Sequence, residues 1–133
     1  MKKSGKLQLA ILESKETIEK LPFLVDLFKV IDKSTVEDII CEGDSCIIFF
    51  VPNDRGIKAW LEFCLFKGKQ YLDFELVEAQ DGEKKYLDYR VFVSEENKNS
   101  VMNKVELELR KCYKTPTKVK LAAKSIVASP TIF

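Results

Sequence analysis

Between residues 60 and 93, apolar and polar positions alternate with a period of two, the pattern of strands that bury one face. The stretch WLEFCLFKGKQYLDFELVEAQDGEKKYLDYRVFV divides into three such runs at two turn signals. Asp81-Gly82 suits a type I′ turn, which needs positive φ at both central positions. Gly68-Lys69 suits a II′ turn, where glycine takes the first. A two-residue turn at each place sets the register. Leu72, Phe74 and Leu76 fall opposite Val91, Tyr89 and Leu87 on one side, and opposite Leu65, Phe63 and Leu61 on the other. A slip of one residue would turn a whole strand outward, so the shared apolar face constrains the pairing. A helix competes over 57–67, because Ile57, Trp60, Leu61, Cys64 and Leu65 also recur at helical spacing between a cap at Asn53 or Asp54 and a stop at Gly68.

The rest of the chain is read in the same way. Residues 1–13 fit a strand through Leu7, Leu9 and Ile11, or the start of a helix. From Ser14 to Ile31 the apolar residues have helical spacing, broken at Pro22, which suits the first turn of a second helix. Residues 36–42 and 46–51 form a hairpin about Gly43-Asp44, with Cys41 opposite Cys46, Ile40 opposite Ile47 and Ile39 opposite Ile48. The second of these strands is apolar on both sides, as a covered strand would be. After Val93 the period changes. Ser94 is a candidate N-cap, and Lys98, Val101, Met102, Val105, Leu109 and Cys112 follow at helical spacing, although residues 105–109 also alternate as a strand would. Thr115-Pro116 opens a last helical stripe that ends at Ser129-Pro130. These elements predict one α+β domain over residues 1–133. It has a five-stranded antiparallel sheet with N-terminal and C-terminal helices packed on one face.

Composition narrows the chemistry more than it directs it. The 133 residues are 46% hydrophobic, and 22 Lys plus Arg nearly balance 21 Asp plus Glu. That balance ranks nucleic acid last among partners. No apolar run is long enough to span a bilayer, and the short run after Met1-Lys2-Lys3 does not read as a signal peptide. The expectation is therefore a cytoplasmic protein without a membrane partner. The chain has no His, which removes the usual general base and the usual transition-metal ligand. Its four cysteines form no C-x-x-C motif. They read as small hydrophobes in a reducing compartment, with Cys41 and Cys46 placed to oxidise readily.

The outer face of the meander carries the candidate site. In the predicted register its rows are Phe66/Tyr71/Phe92, Cys64/Asp73/Arg90, Glu62/Glu75/Asp88 and Trp60/Val77/Tyr86. Asp73 opposite Arg90 is a sound ion pair. Three carboxylates side by side oppose stability and so invite a functional reading. They could hold a divalent cation, which needs only oxygen ligands, or meet a basic partner. An internal cation against Glu75 would remove the row from both readings. Trp60, Tyr71, Tyr86 and Phe92 interleave with these charges, in the mixture that binding surfaces favour.

Pro52-Asn53-Asp54 and Glu83-Lys84-Lys85 faintly resemble the acidic pair and E-x-K of divalent-metal nucleases. In those enzymes the E-x-K lies on a core strand, whereas here Glu83 and Lys85 flank a turn. No catalytic residue, metal ligand or cofactor is assigned. The expectation is a non-enzymatic interaction domain of the inhibitor, immunity, adaptor or chaperone kind, with a protein partner and scope for a homodimer. The alternative is a metal-dependent phosphoester hydrolase using the acidic row.

Overall fold

The computed structural model describes residues 15–114. The expectations for residues 1–13 and for the stripe after Thr115-Pro116 lie outside the described residues. Helix α1 (Lys15–Lys20) and helix α2 (Pro22–Val30) meet at Leu21, with Pro22 in the first turn of α2, where its missing N–H costs nothing. A 3-10 turn at Lys33–Thr35 is capped by Asp32, whose side chain accepts from Ser34 N at 3.0 Å. Strands β1 (Val36–Glu42), β2 (Ser45–Phe50), β3 (Ile57–Phe66), β4 (Lys69–Glu78) and β5 (Lys85–Val93) follow, then helix α3 (Lys98–Cys112). The strands pair antiparallel in chain order as one open five-stranded sheet. Residues 57–66 are thus strand, and 105–109 are helix.

Two of the three predicted registers hold. Cys41 lies opposite Cys46 and Ile39 opposite Ile48, and the two cysteines are bonded as a disulfide. The oxidised pair is the form described; Cys64 and Cys112 are free thiols. Leu72, Phe74 and Leu76 face Val91, Tyr89 and Leu87. The connection there is longer than a two-residue turn. Gly82 N donates to Glu78 O, Asp81 Oδ1 accepts from Glu83 N, and the register shifts by one at Val77.

The β3–β4 register differs from expectation by two residues. Phe63 faces Leu72, Leu61 faces Phe74, and Ala59 faces Leu76. The turn uses Lys67 and Gly68, at φ 54° and 78°, in place of Gly68 and Lys69. Both central residues are left-handed, as the twist of a type I′ hairpin demands, and this outweighs the reluctance of a lysine to adopt that conformation.

The core unites the inner strand positions with the helices. Ile48, Phe50, Leu61, Phe63, Leu72 and Phe74 are fully buried, and they cluster with Leu24 and Leu27 of α2 and Val101 and Val105 of α3. Phe23 stacks on Phe63 at 5.5 Å between ring centroids. The predicted cap at Ser94 is replaced by Asn97, whose Oδ1 accepts from Ser94 N and whose Nδ2 donates to Phe92 O. At the far end of α3, the Tyr113 hydroxyl donates to Val51 O at 2.6 Å and accepts from Ala59 N at 2.9 Å. Among the described residues, no helix is long and apolar enough to cross a membrane.

Candidate functional site on the outer sheet face

The two-residue shift of β3 keeps every side chain on its expected face but changes its neighbours. The observed rows are Cys64/Tyr71/Phe92, Glu62/Asp73/Arg90 and Trp60/Glu75/Asp88. The predicted row Glu62/Glu75/Asp88 therefore does not exist. Glu62 stands opposite Asp73, and Trp60, expected opposite Val77, takes the place beside Glu75 that was expected of Glu62. Trp60 does not share a row with Tyr86, which sits at the register shift. Phe66 moves to the hairpin end opposite Lys69.

The carboxylates that do gather are Asp73, Glu75 and Asp88, with an oxygen from each within 4.8 Å of the others. Glu75 is the only charged residue among the described ones that is buried, at 3% exposure. Burying a carboxylate demands a partner, and two cations supply it. Lys85 Nζ lies 3.2 Å from its Oε1, and an Arg90 guanidinium nitrogen lies 3.5 Å from its Oε2. Arg90 Nε also pairs with Asp88 at 2.9 Å, and Lys85 with Asp88 at 3.5 Å. Hydrogen bonding to Asp88 raises the pKa of Arg90, and hydrogen bonding to Glu75 raises that of Lys85. Lys85 was not among the predicted site residues. Its position after a turn hid it, since the register shift at Val77 is what brings it over Glu75.

Asp73 is less well served. Arg90 Nε stands 3.6 Å from its Oδ1, too far for a hydrogen bond, and that buried oxygen has no hydrogen-bond partner. Burial pushes the Asp73 carboxyl up to about 6, and Glu75 adds to the rise through a hydrogen bond and its charge; Arg90 opposes it. The group therefore holds a proton well above the usual carboxylate range.

Beside this network lies an aromatic patch. Tyr71 and Phe92 rings are 4.9 Å apart, and Phe66 and Phe92 rings 6.3 Å apart. Phe66 and Phe92 remain 52% and 44% exposed. At the other end Tyr86 is exposed, with Lys84 Nζ 5.2 Å from its ring. Trp60 is half-buried. The predicted aromatic residues thus do not form one patch: Tyr71 and Phe92 lie at one end, Trp60 shares the row of Glu75 and Asp88, and Tyr86 lies at the register shift beyond them.

Other reactive groups have ordinary structural surroundings. Burial, and then the charge of Glu62, push the Cys64 thiol up, which keeps it in the unreactive form. The Asn53 side chain accepts from Arg55 N and Ile57 N and donates to Cys112 O, tying the β2–β3 loop to α3. Glu83 lies in the β4–β5 connection, and Lys85 is engaged with Glu75, so the E-x-K resemblance gains no support from the fold. Searches of protein-family models, curated proteins and solved structures find no match to this chain.

Proposed function

We propose that this chain is a non-catalytic, cytoplasmic protein-interaction domain, of the inhibitor, immunity, adaptor or chaperone kind. Its binding surface is the outer face of β3, β4 and β5. In this reading the helices cover the inner face and leave the outer one for a partner. The observation that carries it is the aromatic patch: Phe92 packs against both Phe66 and Tyr71, yet Phe66 and Phe92 each stay about half exposed. Rigid aromatic side chains beside an arginine give much contact area at little entropic cost, the composition of interface hot spots. Arg90, half exposed and already oriented by Asp88, is the adjacent charged anchor.

A second reading, the metal-dependent phosphoester hydrolase, is favoured by the closeness of Asp73, Glu75 and Asp88. It ranks lower because Lys85 and Arg90 already answer the charge of Glu75, and a divalent ion would have to compete with them. The deciding experiment is affinity capture from the native host with three baits matched for folding: wild type, Phe92→Ser and Leu107→Ser. Leu107 is an equally exposed apolar residue on α3. The reading expects a partner retained by wild type and by Leu107→Ser and lost with Phe92→Ser. Equal retention by all three baits would contradict it.

A further inference from the structure

Strand β5 closes one side of the sheet, and among the described residues no strand pairs with its free edge. The other edge strand, β1, is blunted. Its register breaks between Val36 and Asp38, and Asp38 Oδ1 accepts the Ile39 N–H at 2.8 Å. Bulges of this kind discourage further pairing. Strand β5 has a bulge of its own at Tyr86, but beyond it pairs without a break over seven residues, Leu87 to Val93, against five on β1, Asp38 to Glu42. Two bonds show which of its backbone groups turn outward. Glu78 N donates to Lys84 O, and Phe92 O accepts from Asn97 Nδ2. By the alternation of an antiparallel ladder, the odd-numbered residues of β5 then bond to β4, and Asp88 and Arg90 present their N–H and C=O to the open edge.

The sequence of this edge is a chemical palindrome about Tyr89. Asp88 is matched by Arg90, Leu87 by Val91 and Tyr86 by Phe92. Two antiparallel copies paired about Tyr89 would set each Asp88 against the second copy's Arg90 and each Leu87 against its Val91, with Tyr86 at the bulge beyond the regular pairing. Partner numbers in this register have an even sum, so paired side chains share a face and outward backbone groups meet outward backbone groups. The inner side of β5 has room for such a neighbour. Leu87, Tyr89 and Val91 are only half-buried, whereas Leu72 and Phe74 beside them on β4 are fully buried.

We propose that β5 pairs antiparallel with β5 of a second copy of this chain, about a twofold axis at Tyr89. The contact is self-complementary, as a closed twofold dimer requires. It joins two five-stranded sheets into one continuous sheet and makes their outer faces contiguous. A contact built on one strand edge is small, so the dimer dissociates at low concentration.

Sedimentation equilibrium of the full chain over a concentration series tests this, together with isotope-filtered NOE spectra of a mixed-label sample. The expected result is a reversible monomer–dimer equilibrium, with contacts between the Leu87 methyls of one copy and the Val91 methyls of the other. Arg90→Glu places like charges opposite each other twice and is expected to weaken dimerisation about tenfold or more. A monomer at all concentrations overturns the proposal, and this is the result if the chain's own residues 1–13 occupy the edge. A dimer without the Leu87–Val91 contacts, or one that Arg90→Glu leaves unchanged, overturns it as well. Should Arg90→Glu fail to fold, the wild-type NOE contacts decide alone.

Discussion

Replacing Asp73 by Asn should stabilise the protein at neutral and alkaline pH. Asp73 lies between Glu62 and Arg90 in its row, with Glu75 on the same face, and its carboxyl is raised from 3.8 to about 6. The folded state thus binds this proton more tightly than the unfolded chain, where an Asp titrates near its ordinary value. The resulting stability is fully present below about pH 4 and is lost as pH rises through about 6. At 1.36 kcal/mol per pH unit, the difference amounts to about 3 kcal/mol. Asn keeps a donor toward Glu75 and removes the charge. At pH 8, Asp73→Asn should therefore gain up to about 3 kcal/mol, or roughly 10 °C in Tm, while at pH 4 it should be nearly neutral. Urea denaturation of both proteins at the two pH values measures this directly. Loss of stability at pH 8 would refute the reasoning, because it would mean that attraction to Arg90 outweighs burial and the repulsion from Glu75.

Three further outcomes are expected. Phe74 is fully buried at the centre of the inner face, and Phe74→Ala should cost about 3–5 kcal/mol in chemical denaturation. Lys67 holds φ 54° in the β3–β4 turn, so Lys67→Asn, which tolerates that conformation and restores an Asn-Gly pair, should raise stability by about 0.5–1 kcal/mol; a calorimetric scan reads it. Glu75→Gln removes one of the two carboxylates that Lys85 and Arg90 share and leaves them Asp88. Because both cations are partly exposed, it should cost only about 1 kcal/mol, in metal-free buffer and with no change on adding Mg²⁺.

The elements of this fold were legible because the strand period is two and the helix period is not. Phe63, Phe74 and Tyr89 could be placed on one face from their alternation alone, and the structure puts them there. The rows were harder to read. A register wrong by two residues preserves every facing, so hydrophobic pattern cannot distinguish Glu62 beside Glu75 from Trp60 beside Glu75. Only the turn decides, and a lysine in a left-handed conformation at position 67 is a choice that local preference argues against. The β4–β5 register, by contrast, was correct even though its connection is longer than a two-residue turn, because the one-residue shift falls after Leu76 and Leu87 have paired.

The candidate site was legible to the same degree. Asp73 opposite Arg90 and the grouping of Tyr71 with Phe92 followed from the alternation. The burial of Glu75 did not, because it depends on Lys85 reaching back across the register shift. The grouping of Phe66 with Phe92 was also predicted, but through a row with Tyr71, whereas Phe66 reaches Phe92 from the end of the hairpin opposite Lys69.

The central claim is that a partner docks on the outer sheet face, and hydroxyl-radical footprinting of the protein, free and bound to its captured partner, tests it most directly. The account predicts that binding suppresses oxidation at Phe66, Tyr71 and Phe92 and leaves Leu107 on α3 as reactive as before. Protection at Leu107 with undiminished oxidation of the three aromatic residues would place the interface elsewhere and contradict it.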